Sequence, residues 1–310
     1  MPLDPEVRAR LAEMAAADAP EIGTVSAAEF RKIQQLSRPP TEPQLADYFV
    51  GDFRIMTEPR TLSARLYRPA ASPRALIVYF HGGGWTLGDL ASSDTSLRRL
   101  SQATGFASLS VEYSLAPEFP FPAAVEDAVS ATQWAVDNIR ELAGHNVPVV
   151  VAGESAGGNL AAVVALAFRN AGKSGVAAQI LICPSVAAID EEAVRDIEAP
   201  FPSLEAISWF YDQYVPDRSH RSDPRFAPLG VADLSGLPPT FVLSAEYDFL
   251  REQGERYAAR LSNAGVTTQT KRYLGTFHGF FELDGGLKQS TAAIDDIGRF
   301  IREFVLEQTP

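Results

Sequence analysis

Val147-Pro148-Val149-Val150-Val151-Ala152-Gly153-Glu154-Ser155-Ala156-Gly157-Gly158-Asn159-Leu160 is the stretch that decides the fold. The β-branched run up to Ala152 reads as a buried strand. From Gly158 the chain passes into an Ala/Leu-rich helix pattern that continues to Phe168. Between the two stands G-x-S-x-G, with Ser155 at the tip of a strand–turn–helix, the layout of a nucleophile elbow. Such a turn strains the backbone at the serine, and only small flanking residues let strand and helix pack that closely. The pentapeptide alone could arise by chance in a chain with 22 glycines. Its flanks argue against chance, and a second motif does so more strongly.

That motif is His81-Gly82-Gly83-Gly84-Trp85, which follows the apolar strand-like run Ala75-Leu76-Ile77-Val78-Tyr79-Phe80. Acyl transfer builds negative charge on a carbonyl oxygen, and preorganised backbone N–H donors stabilise it. Consecutive glycines let such donors approach a substrate with no Cβ in the way. A flexible turn after a strand would explain the glycines. It would not explain their position upstream of the serine.

A serine nucleophile needs a base, and the base an orienting acid. The chain has four histidines. His81 belongs to the glycine loop. His145 precedes the nucleophile strand and so sits at the wrong end of it, and His220 lies in the polar run Asp217–Asp223. His278 follows a strand read over Thr268–Tyr273 and precedes a C-terminal helix. In a parallel sheet the C-terminal strand ends carry the chemistry, which leaves His278. The acid should follow the strand Thr240–Ala245. Asp248 is the choice and Glu246 the alternative, although Asp248 would also suit a helix cap near Leu250. The order Ser…Asp…His is that of the α/β-hydrolases.

Taken together, these residues resemble the hormone-sensitive-lipase-like branch of the α/β-hydrolase family. The matching pieces are His81–Trp85, Tyr113-Ser114-Leu115-Ala116-Pro117-Glu118, Phe121–Asp127, Gly153–Leu160, Asp248 with Leu250-Arg251, and His278-Gly279-Phe280. They run in family order from about residue 74 to 281. The resemblance implies a mostly parallel central sheet flanked by helices, an N-terminal helical cap and an esterase or lipase activity. It implies Ser155, Asp248 and His278 as triad, with Gly83, Gly84 and Ala156 as oxyanion donors and Gly82, in the same loop, as part of the oxyanion hole. Relatives often pair as homodimers. Glu154 stands where the family usually has Asp, Ser114 where it has Arg, Phe119 where it has His, and Phe249 where it has Pro. These departures touch supporting loops and leave the triad intact. An amidase or deacetylase with the same triad is the rival within the class, and a related peptidase is a more distant one. A ligand receptor on the same fold is the rival outside it, and such receptors lack the catalytic histidine.

A length of 310 residues suits one large α/β domain. The single cysteine, Cys183, forms no internal disulfide and reads as a buried, inert thiol. No His/Cys cluster has metal-ligand spacing, and no cofactor is implied. A net charge of −12 argues against nucleic-acid and anionic-membrane partners and leaves a small-molecule ester as the expected one. No secretory signal or 18-residue apolar run is visible, so the cytoplasm is the expected location. Residues 1–45 read as a cap segment with helices over Pro5–Ala17, with Leu11 and Met14 facing inward, and Ala27–Leu36, the second ended by Pro39-Pro40. Residues 46–310 form the catalytic domain, with a cap-contributing insertion at about 185–225 that holds the aromatic helix Ile207–Tyr214. Candidate pocket residues are Phe30, Ile33, Leu36, Trp85, Ile207, Phe210, Tyr211 and Phe280.

Overall fold

A computed structural model describes residues 2–17, 19–37, 48–58, 60–190, 192, 194, 197–282 and 287–307. Pro39-Pro40 and the boundary between the expected segments lie outside the described residues.

The strands are β1 (Tyr48–Met56), β2 (Thr61–Pro69), β3 (Leu76–Phe80), β4 (Ala107–Glu112), β5 (Val149–Glu154), β6 (Val176–Ile182), β7 (Thr240–Tyr247) and β8 (Thr268–Phe277). They form one sheet in the order β1-β2-β4-β3-β5-β6-β7-β8. From β4 through β8 every pairing is parallel, and β2 alone runs against its neighbours. The helices are α1 (Pro5–Ala16), α2 (Ala27–Ser37), α3 (Asp94–Thr104), α4 (Ala123–Asp137), α5 (Ile139–Ala143), α6 (Ala156–Asn170), α7 (Leu204–Tyr214), α8 (Arg251–Asn263) and α9 (Lys288–Ile301). This is the α/β-hydrolase architecture.

The central strands are apolar throughout because both faces are covered. Leu76, Val78, Phe80, Val149 and Val151 pack into the core shared with α4, α6 and α8. Ile77, Tyr79, Val150 and Ala152 face the opposite core, closed by α3 and α9. Period two with two buried faces removes the polar alternation of a half-exposed strand.

Topology places the site. The chain steps from β3 outward to β4, then returns to the other side of β3 to form β5. The sheet order therefore reverses between β3 and β5, which pair directly from Leu76↔Val149 to Phe80↔Gly153. Open parallel sheets form their ligand crevice at such a switch point, beyond the C-terminal strand ends. Two strands further on, Tyr247 pairs with Phe277. The residues that follow, Asp248 and His278, leave the sheet side by side.

Candidate active site

Ser155 stands between β5 and α6 with φ 58° and ψ −115°. The left-handed φ is one that side chains other than glycine rarely adopt, so the turn is strained. Its neighbours explain how it is held. A Cβ on Gly157 would lie 1.9 Å from the Phe80 carbonyl oxygen, and one on Gly153 would lie 2.4 Å from the Gly157 backbone. Only glycine at both positions lets β5, β3 and the start of α6 meet. Ser155 N–H donates to Ile182 O at 2.8 Å, and its carbonyl accepts from Asn159 N–H and Ser185 N–H. The buried Asn159 amide donates to Ser185 O and Phe226 O at 2.7 and 2.8 Å, tying α6 to the loops behind it.

Ser155 Oγ lies 2.9 Å from His278 Nε2, and His278 Nδ1 lies 2.9 Å from Asp248 Oδ2. Asp248 is 1% and His278 6% exposed, so the bond between them is shielded from water. A carboxylate only accepts. Nδ1 therefore carries the proton, and Nε2 presents its lone pair to the serine hydroxyl. Asp248 Oδ1 accepts from Leu250 N–H at 2.7 Å, so the acid also organises the entry to α8. Glu246 is bonded elsewhere. It accepts from Gly275 N–H at 2.7 Å and so braces β8 just before His278.

The glycine loop is pinned at nearly every polar group. Buried His81 donates from Nδ1 to Gly82 O at 2.7 Å, and burial lowers its pKa. Tyr113 stacks on the His81 ring at 4.3 Å and donates its hydroxyl to His81 O. Gly83 O accepts from Thr86 and Leu87 N–H, Gly84 O from the Thr86 hydroxyl, and Trp85 O from Ala116 N–H. Trp85 itself lies flat on Tyr214, with ring centroids 4.7 Å apart. The N–H groups of Gly83 and Gly84 have no acceptor among the described residues. Ala156 N–H, first in α6, has no intrahelical partner by helix geometry. Three donors thus remain for a ligand beside Ser155.

Gly82 differs from them. Its N–H donates to both carboxylate oxygens of Glu282, each at 3.0 Å. The expectation that Gly82 shares in the oxyanion hole is corrected on this ground, because its donor is already taken. Glu282 went unread in the sequence. The signal available was an acid directly after His278-Gly279-Phe280-Phe281, where an apolar residue would extend the core.

Cys183, Asp248 and His278 bring a sulfur, an oxygen and a nitrogen within 4.8 Å of one another. The Asp248–His278 pair is closed on itself through a hydrogen bond, and the thiol is buried with its pKa pushed up, chiefly by burial and then by Asp248. These features fit a hydrogen-bonded acid–base pair beside a protonated thiol better than an ion cage.

A family model described as the alpha/beta hydrolase fold matches residues 77–282. The chain belongs to the alpha/beta-hydrolase-fold family. It is 36% identical to an arylesterase of Saccharolobus solfataricus over 310 aligned residues, covering 95% of this chain and 97% of that protein. It is 40% identical to the carboxylic ester hydrolase LipN of Mycobacterium tuberculosis over 258 residues, covering 78% of this chain and 68% of LipN. A hyperthermophilic esterase from Pyrobaculum calidifontis superposes with a TM-score of 0.86 at 35% identity, covering 97% and 98% of the two chains. These relatives lie in the esterase branch that the motifs resemble.

In this alpha/beta hydrolase a cavity of about 350 Å³ opens on Ser155 and His278. Of the candidate pocket residues, Trp85, Ile207, Phe210 and Tyr211 line it. Four other candidates do not. Leu36 is 78% exposed and points away. Phe30 packs behind the wall, against Leu87 and Phe210. Ile33 is half-buried outside the lining, and α2 presents Gln34 and Ser37 to the cavity instead. Phe280 is fully buried on the far face of the sheet, near Tyr273, because the chain turns back under α3 and α9 after His278. Ile22, Leu87, Phe201, Pro202 and Leu250 supply apolar lining that carried no motif.

α1 and α2 do not pack as one unit. Val7 of α1 sits on Phe277 and Leu287, with Leu11 and Met14 beside it, while α2 packs on the glycine loop and α7. Among the described residues no helix is long and apolar enough to cross a membrane.

Proposed function

We propose that this protein is a serine carboxylesterase that hydrolyses short- to medium-chain acyl esters through an acyl-enzyme, with Ser155 as nucleophile. One observation carries the reading: Ser155 Oγ, the His278 imidazole and the Asp248 carboxylate form an unbroken series of 2.9 Å bonds beside three unpaired backbone donors. The esterase names of the relatives support the same class.

Ser155 Oγ attacks the ester carbonyl carbon as its proton passes to His278 Nε2. The carbonyl π-electrons move onto oxygen, and that charge meets the N–H groups of Gly83, Gly84 and Ala156. Asp248 holds the tautomer and steadies the imidazolium. The intermediate collapses, the C–O bond to the alcohol breaks, and His278 returns the proton to the leaving alkoxide. Water, deprotonated by the same imidazole, attacks the acyl-enzyme, frees the acid and restores Ser155. No step of this sequence calls for a metal or cofactor.

The cavity sits at the small end of the range for ligand sites. Phe210 and Leu87 form part of its wall, and Phe30 is packed behind them. Each methylene buried adds about 0.8 kcal/mol until the space is full. Over a panel of p-nitrophenyl esters kept below the micelle limit, kcat/KM should rise over the first few carbons and then fall. Matched anilides should be much poorer substrates. Improvement out to sixteen carbons, or activation at an emulsion surface, would make the chain a lipase. Comparable anilide turnover would make it an amidase. The α2 and α7 segments act in this reading as the cap over the site. A cytoplasmic location and a homodimer complete the reading, and fractionation and light scattering test them.

A further inference from the structure

Beneath the glycine loop lie two acidic side chains that the reaction sequence does not use. Glu154 precedes the nucleophile and is 1% exposed. Its two oxygens accept the N–H groups of Phe281 and Glu282, at 3.3 and 2.8 Å, and so join the elbow to the histidine loop. Glu282, partly buried at the cavity floor, turns the other way. Both its oxygens accept from Gly82 N–H, and Oε1 also accepts the buried Tyr79 hydroxyl at 2.9 Å. The fit leaves no room for a side chain: a Cβ on Gly82 would lie 2.9 Å from Glu282 Oε2. Glu282 thus holds the one N–H of the three consecutive glycines that has an acceptor among the described residues.

We propose that Glu282 is a positioning residue for ester hydrolysis, an ionisable clamp whose carboxylate fixes Gly82 and thereby aims the Gly83 and Gly84 donors at the oxyanion. The proposal rests on the esterase reading above. The clamp needs the ionised form because both oxygens act as acceptors. A proton on one oxygen leaves Gly82 N–H a single, uncharged acceptor in place of two shared carboxylate oxygens, and the anchor of the loop's first peptide is weakened.

The surroundings place this proton exchange in the working range. Tyr79 of β3, Tyr113 of β4, Glu154 at the end of β5 and His278 of the same loop are the titratable groups facing Glu282. Burial pushes Glu282 up to about 7, against the pull of Gly82 N–H, the Tyr79 hydroxyl and His278. Burial, and then repulsion from Glu282, also pushes the Glu154 carboxyl well above the usual range. Activity is lost when Glu282 gains a proton, and separately when His278 gains one.

The test is the pH profile of kcat/KM with a soluble ester for wild type, Glu282→Gln and Tyr79→Phe. Wild type should show an acid limb steeper than one proton. In Glu282→Gln the amide offers only one acceptor, so kcat should fall by roughly ten- to a hundredfold, short of the 10²–10³ of deleting a donor outright. KM should hold, and the limb should relax to a single proton. Tyr79→Phe keeps the packing and removes a bond that favours the carboxylate, so the steep part should move up by roughly one pH unit. A Glu282→Gln enzyme with wild-type kcat and slope overturns the clamp. So does a Tyr79→Phe limb that stays in place, and this arm decides the matter if Glu282→Gln does not fold. A wild-type chain that turns over no ester fails at the esterase reading, and the two failures are told apart by that first measurement.

Discussion

Asp248→Asn tests the electrostatic core of the site without removing an atom from its packing. Asp248 has two jobs: Oδ1 accepts Leu250 N–H at 2.7 Å and Oδ2 accepts His278 Nδ1–H at 2.9 Å. An asparagine has one acceptor. If its oxygen stays on Leu250, its NH2 faces Nδ1 and forces the proton to Nε2. The imidazole then points an N–H, not a lone pair, at Ser155 Oγ. If the amide flips, NH2 meets Leu250 N–H, two buried donors face each other, and about 1–3 kcal/mol is lost. In either case no carboxylate balances the imidazolium. A loss of roughly 10⁴ in kcat is expected, as for the same substitution in another Ser-His-Asp enzyme, equivalent to about 5.4 kcal/mol of barrier. Stopped-flow acylation with p-nitrophenyl acetate reads the step directly. Glu246→Gln is the control. Glu246 accepts from Gly275 N–H, a bond the Gln oxygen can keep, so its kcat should stay within a fewfold of wild type. A drop below tenfold for Asp248→Asn, or equal losses in both variants, would refute the tautomer argument.

Ser155→Ala should abolish the acylation burst while leaving the circular dichroism spectrum unchanged; retention of a tenth of wild-type kcat would move the nucleophile elsewhere. Asp94 is held by Arg98, Arg65 and the Tyr67 hydroxyl at 2.6–2.8 Å. Burial raises its pKa, but these bonds outweigh it and leave the pKa below the free value of 3.8. Its stabilisation is therefore full above pH 3.8 and is lost as pH falls through the lower folded value. Asp94→Asn breaks a buried ion pair worth about 3–5 kcal/mol, and Tm at pH 7 should fall by roughly 5–8 °C. The gap to wild type should close in acid, and a gap that is constant with pH would show that packing, not charge, is responsible.

The parts of this molecule that sequence reading recovers are those where two constraints coincide. Val149–Glu154 is apolar because both sheet faces are buried, and it ends in glycines that backbone contacts demand. Pattern and punctuation agree there, so β5, the elbow and α6 are legible. β1, β2 and β4 carry no motif and go unread. β8 reads as ending at Tyr273 because Leu274-Gly275 looks like a breaker. In fact Glu246 and Asp4 bond the Gly275 backbone and carry the strand on to Phe277. Cavity walls are the least legible part. Leu36 is apolar and exposed, whereas Gln34 and Ser37 from the same helix face the cavity. Which side of a short helix meets empty space depends on what packs behind it, and that is set by α7, some 170 residues away in the chain. Glu282 is missed for a related reason: its partners are a backbone N–H and a tyrosine about 200 residues earlier.

The reacting groups follow directly on paired strands, with Tyr247↔Phe277 and Phe80↔Gly153 as the last rungs beneath them. Part of the cavity wall, by contrast, is carried by α2 and α7, through Gln34, Ser37, Ile207, Phe210 and Tyr211. What is cleaved and how it is cleaved are therefore inherited through different stretches of sequence. Variation at the cavity-facing Gln34, Ser37 and Ile207 can try new substrates while the sheet keeps the bond-breaking geometry constant. A library confined to those positions, sparing Tyr214 under Trp85 and Phe210 against Gly84, would explore selectivity with little risk to turnover, and a lineage drifting there would change its diet before it lost its chemistry.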